Sequence, residues 1–366
     1  MHKLYTEKEA FFNCAFLAAL ANGNSIIHGV NATPEFAFFA DYLRELGANV
    51  SINGEQWEIT GVNFKCKKDL NLDWVGDDFP HQKRNRKIIE CLLSGDPFSC
   101  EEKIPVKNSL IRELCSFGAE LEFKQDGPEE TDEFAKRMAK MQGIKIEKKW
   151  ICNIPPVSSL LARDRFIAGD ATQAACLALA ASLIPNSDVT IKAVNLDSSR
   201  SGVFGLFKRL GADIEVVSRH ERGNDVWGDL RVKTAKYISG TRLGPDVLAT
   251  CLEEIPLLAV LACFAEGETI LRLPPWATAF YKPVLSILYE NLECGLYEDG
   301  LIVRGILRGD SKMKVKTFDC KNHPIAGLAL HILNLKIKGK DNVAGIECVE
   351  NIYPGGLNFE NWHSVS

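Results

Sequence analysis

The chain has 366 residues, 46% hydrophobic and 25% charged, with a formal net charge of -5. These values suit a globular protein of two or more domains and give no reason to expect a nucleic-acid or membrane partner. No apolar run reaches membrane-spanning length, residues 1–10 are too charged for a secretion signal, and the twelve cysteines show no metal-ligand spacing, so the expectation is a reduced, cytoplasmic chain without metal.

Taken in order, the chain repeats one pattern. An apolar helix ends at glycine or proline, a short β-branched strand follows, and an amphipathic helix then ends in a glycine before a second strand. In the first module the helices are Lys8–Ala21 and Glu35–Leu46, with SIIHGV and ANVSI as strands. A polar stretch, Lys65–Arg86, precedes a second module with helices Arg86–Leu93 and Pro105–Phe117 and the strand AELEF. The third module is truncated: Thr131–Gln142 and IKIE supply its second helix and strand, and its first helix is missing. The fourth has Ala171–Leu183, DVTIKAV, Ser199–Leu210 and ADIEV.

The fifth module opens with EEIPLLAVLACFAEGETILRL, from Glu253 to Leu273. Pro256 suits a first helical turn, and the apolar residues leave almost no polar face, which predicts a helix buried nearly all round. Two acids at such a start either complement the helix dipole or form part of an active site. Ala279–Leu292 is its second helix, and His323–Leu335 belongs to a sixth module.

The segments that carry these modules resemble the enolpyruvyl transferases, most closely the EPSP synthases. FIAGDATQAACLALAASL is similar to the family's alanine-rich helix led by Gly-Asp, and EEIPLLAVLACFAEGETILRL to its acidic Ile-Pro helix and following strand. LAALANGNSIIHGV with YLRELGANV resembles the family's first module. The resemblance implies an α/β (α+β) fold: a two-domain inside-out barrel, residues 7–164 and 165–366, of βαβαββ modules facing across a cleft. It implies transfer of the carboxyvinyl group of phosphoenolpyruvate to shikimate 3-phosphate or a related acceptor, with loss of phosphate. That chemistry needs cations for the anionic groups, an acid for the methylene carbon and a base for the attacking hydroxyl. No cofactor, metal, nucleic acid or membrane is implied, and a monomer is expected.

Residue by residue, the resemblance places Lys8 at the lysine that meets phosphoenolpyruvate, within Glu7-Lys8-Glu9 where the family has Ser-Lys-Ser, and Asn13 at an arginine position. Lys8 also reads as a solvated lysine in a first helical turn. Glu253 takes the base position and Glu254 the neighbouring glutamate; Thr172, Gln173, Arg200, Lys282 and His323 are the substrate-binding candidates. The chain departs from the family at Phe280, Pro283, Pro324 and Asn351, where charged groups are absent. Lys107, Lys208, Lys282, Arg163, Arg165 and Arg200 are the cations that could replace them, Lys282 and Arg200 in loops aimed at the cleft. Ser158 and Ser159 read as loop serines and Cys100 as structural. Two functions follow: a carboxyvinyltransferase using Lys8, Glu253 and relocated cations, or a non-catalytic relative that binds a small anion or a protein.

Overall fold

The computed structural model describes residues 4–65, 70–76, 80–102, 109–126, 149–197, 200–222, 225–305, 317–337 and 343–353. The chain forms two compact units. An N-terminal unit comprises Lys8–Ile167 and Arg222–Asp225; a C-terminal unit comprises Met1–Glu7, Ala168–Glu221 and Val226–Ser366.

In the N-terminal unit, α1 (Lys8–Leu20) leads to β1 (Asn24–His28) through Gly23, whose φ of +110° favours glycine. Helix α2 (Pro34–Glu45) starts at Thr33, whose hydroxyl accepts a hydrogen bond from the Phe36 N–H at 3.2 Å, with proline at the first position. Strands β2 (Asn49–Asn53) and β3 (Gln56–Thr60) form a hairpin, and β3 inserts antiparallel between β2 and β1. Strand β7 (Asp164–Phe166) adds parallel to β1, giving the order β2-β3-β1-β7. The apolar face of α1 builds an aromatic core: the Phe11 ring lies 4.4 Å from Phe36 and 4.9 Å, edge-on, from Trp57.

The second module repeats this topology with α3 (Pro80–Ser94), β4 (Phe98–Glu102), α4 (Ser109–Ser116), β5 (Glu122–Asp126) and β6 (Lys149–Ile154), in the order β4-β6-β5. Helix α3 is longer than its apolar stripe suggested, because the polar run PHQKRNR forms its first turns. The expected third-module helix at 131–142 and strand at 144–147 lie outside the described residues. The strand after them, β6, pairs with β4 and β5 and so completes the second module.

The C-terminal unit holds α5 (Ala171–Leu183), β8 (Asp188–Asn195), α6 (Gly202–Leu210), β9 (Asp213–Arg222) and β10 (Asp225–Lys233), with β10 central. After β11 (Arg242–Leu243) and the short α7 (Pro245–Leu248) come α8 (Ile255–Ala262), β12 (Glu268–Arg272), α9 (Pro275–Asn291), β13 (Cys294–Tyr297) and β14 (Gly300–Arg304). Their sheet runs β11-β12-β14-β13. Helix α10 (Pro324–Ile337) then packs on both α5 and α8, which also touch each other. Every residue of α5 and α8 is buried. One expectation is corrected: Lys282 lies in no loop, since α9 begins at Pro275 and runs through Lys282 and Pro283. Among the described residues no helix is long and apolar enough to cross a membrane.

Candidate functional site

Three buried helices of the C-terminal unit bring their N-termini to one place. At α5, Asp170 is the N-cap: its carboxylate accepts from the Gln173 N–H at 2.6 Å and from the Tyr353 hydroxyl at 2.9 Å. At α8, Glu254 holds the N-cap position, yet its carboxylate turns to α5 and accepts the Thr172 hydroxyl at 2.5 Å. At α10, His323 Nδ1 accepts from the Ala326 N–H at 3.2 Å, so this imidazole carries its proton on Nε2. Thr172 and Glu254 are each 3% exposed, which makes their hydrogen bond a buried, charge-assisted one.

Arg200 supplies the cation of this cluster. Its Nη2 lies 3.3 Å from Glu7 and 3.6 Å from Glu253. Glu7 raises the guanidinium's pKa most, and Glu253, Glu254 and Asp170 add to it. Burial pushes the Glu254 carboxyl up from the usual carboxylate range to about 7; Glu253 reinforces the shift, and Arg200 and the Thr172 hydroxyl oppose it. Burial likewise raises Asp170 and Tyr281, the tyrosine with help from Glu253 and Glu254, and lowers His323. The result is a carboxyl that exchanges a proton near neutral pH, beside a half-exposed carboxylate paired with an arginine.

The structure therefore brings together Glu253, Glu254, Thr172 and Arg200, with His323 within electrostatic reach of Glu253. Gln173 is buried beside them, its Oε1 accepting from the Tyr5 N–H at 2.6 Å. Lys282 stands apart, exposed on the second turn of α9. In the N-terminal unit, Lys8 Nζ pairs with Glu35 at 2.5 Å, and Asn13 is buried in α1. Of the other cations considered, Arg165 is taken up by a buried cluster with Glu113 and Asp225, and Arg163 donates to the Ser116 carbonyl at 3.2 Å. Lys208 is exposed near the end of α6; Lys107 lies outside the described residues. Ser158 and Ser159 are exposed loop residues, and Cys100 faces Cys152 across β4 and β6.

Sequence reasoning passed over Glu7, Asp170, Tyr281 and Tyr353. Asp170 carries a readable signal, an aspartate three residues before glutamine at the head of an apolar run. The other three join the cluster through tertiary packing alone. Among the described residues, no group of three or more His, Cys, Asp or Glu is placed to hold a metal ion.

Residues 110–273 match the sequence model of EPSP synthase (3-phosphoshikimate 1-carboxyvinyltransferase). A 3-phosphoshikimate 1-carboxyvinyltransferase of Thermoanaerobacter sp. (strain X514) is 28% identical, over 75% of this chain and 59% of that protein. One of Synechococcus sp. (strain JA-3-3Ab) is 30% identical, over 85% of this chain and 65% of that one. The chain thus spans about six tenths of the length of these relatives. In fold it matches EPSP synthase from Acinetobacter baumannii, with a TM-score of 0.75 and 16% identity over 96% of this chain and 93% of that one. It also matches the enolpyruvyl transferase NikO from Streptomyces tendae, with a TM-score of 0.65 and 14% identity over 99% of this chain and 94% of that one. In sequence over most of its length the chain is similar to 3-phosphoshikimate 1-carboxyvinyltransferases, and in fold over nearly all of it to EPSP synthase and the enolpyruvyl transferase NikO.

Proposed function

We propose that the protein is a carboxyvinyltransferase that moves the enolpyruvyl group of phosphoenolpyruvate to a hydroxyl of shikimate 3-phosphate or a related acceptor, releasing phosphate. The observation that carries this reading is the pair at the head of α8. Glu254 is buried with its pKa near 7, and Glu253 is half-exposed and paired with Arg200. A carboxyl near pKa 7 gives and takes protons at neutral pH, which is what an addition–elimination at the enol phosphate demands.

The roles follow from exposure. Glu253 takes the proton of the acceptor hydroxyl as the oxygen bonds to C2 of phosphoenolpyruvate. Glu254 delivers a proton to the methylene carbon, making it a methyl group, and receives one back when phosphate leaves and the double bond re-forms. Arg200 offsets negative charge on the substrates, and the N-terminus of α5 adds partial positive charge. Lys8 is assigned to phosphoenolpyruvate by its position in the sequence. Thr172 holds Glu254 and is a positioning residue. We place the protein in the cytoplasm, as a monomer.

A second reading, a non-catalytic relative, has an observation of its own. The cations assigned to the substrates already face internal carboxylates, Lys8 to Glu35 and Arg200 to Glu7 and Glu253. A coupled assay of phosphate release from phosphoenolpyruvate and shikimate 3-phosphate separates the two. The transferase reading expects release that is lost in Lys8→Ala and in Glu253→Gln. No release, together with no heat on titrating either ligand, contradicts it for this pair of substrates.

A further inference from the structure

Two arginines of this fold make short, forked pairs. Arg231 takes both oxygens of Asp188, at 2.8 and 2.7 Å. Arg165 takes both oxygens of Asp225, at 2.8 and 2.5 Å. Arg200 is built differently. Its two carboxylate neighbours come from separate residues, both lie on Nη2, and at 3.3 and 3.6 Å both are longer than a charge-assisted hydrogen bond of about 2.7–2.9 Å. Its Nε is buried and has no hydrogen-bond partner among the described residues. The side chain is still 27% exposed, so solute reaches it. A guanidinium with its fork unspent matches two oxygens of one carboxylate or phosphoryl group.

Glu7 is the nearer of the two carboxylates. It is 5% exposed, and its N–H donates to the Ala168 carbonyl at 3.1 Å, which fixes its backbone in place. A carboxylate buried against a cation must be displaced, or share that cation, before a second anion can use it.

We propose that Arg200 is an oxyanion-receiving residue of the C-terminal unit, and that Glu7 is a resident carboxylate competing with an incoming phosphoryl group for it. Glu7 thereby sets specificity, favouring a doubly charged phosphoryl group, which out-competes a monocarboxylate at a single cation. This deepens the transferase reading, on whose phosphorylated substrates it rests.

The test is a calorimetric titration of the full chain with inorganic phosphate. Glu7→Gln keeps the side chain's size and removes its charge, and is expected to bind phosphate about tenfold tighter than the parent chain. Glu7→Ser is the second neutral variant, with the unfolding midpoint of each recorded to show that it is folded. Adding Arg200→Gln to either variant should abolish the gain. Phosphate affinity equal to or below that of the parent in both folded neutral variants overturns the proposal. So does a gain that survives Arg200→Gln. Because the readout is binding, a chain that shows this gain but releases no phosphate from phosphoenolpyruvate contradicts the transferase reading alone.

Discussion

The proposed chemistry turns on Glu254, and its proton can be followed through stability as well as turnover. Its pKa rises from 4.5 in an unconstrained chain to about 7 in the folded protein, so the folded state holds the proton more tightly. This group's stabilising contribution is full below about pH 4.5, falls as the pH climbs to about 7, and is constant above that. Glu254→Gln should therefore flatten the stability profile between about pH 5 and pH 8 by on the order of 2–3 kcal/mol, measured by urea unfolding. An unchanged profile would remove Glu254 as the titrating group. Thr172→Val deletes the hydroxyl that stabilises the ionised form; it should cost about 1.5–3 kcal/mol above pH 7 and move the Glu254 transition to higher pH. The placement of Glu253 and Glu254 together at the start of a buried helix was legible from the sequence, where the two precede Ile255-Pro256. The partnership of Arg200 with Glu7 was not, because the two are distant in sequence and only tertiary packing brings them together.

At the scale of elements, the sequence reads well where helices are bounded by glycines and caps. Helix α5 spans Ala171–Leu183 as its alanine run indicates, and α8 is buried all round as its lack of a polar face requires. It reads poorly where polarity hides an element. The first turns of α3 are charged, and Lys282, expected in a loop from the resemblance, lies in the aromatic-rich start of α9. Strand β6 escaped notice because its partners, β4 and β5, precede a long polar stretch. Buried charge was the other hidden feature. Arg165 is 5% exposed at its side chain and faces Glu113 and Asp225, with Glu113 pushed up to about 7 by burial. Arg165→Leu would leave two carboxylates without their cation and should destabilise the chain by about 3–5 kcal/mol in urea unfolding. Asp170→Ala removes the cap of α5 and the acceptor of Tyr353, and should cost about 1–2 kcal/mol by the same measurement.

For the whole molecule, the question is whether a scaffold shared with the enolpyruvyl transferases still performs their reaction. Lys8 separates scaffold from function. Its pair with Glu35 is solvent-accessible, with side chains 35% and 49% exposed, so Lys8→Ala should cost under about 1 kcal/mol in stability while abolishing phosphate release. The most direct test of the central claim is where the protons go. If Glu254 converts the methylene of phosphoenolpyruvate to a methyl group and back, turnover in heavy water must place deuterium on the vinyl carbon of the product. The account predicts that label, read by mass spectrometry after incubation with phosphoenolpyruvate and shikimate 3-phosphate, and predicts its loss in Glu254→Gln. Product formed without deuterium, or with the same label in Glu254→Gln, would contradict it.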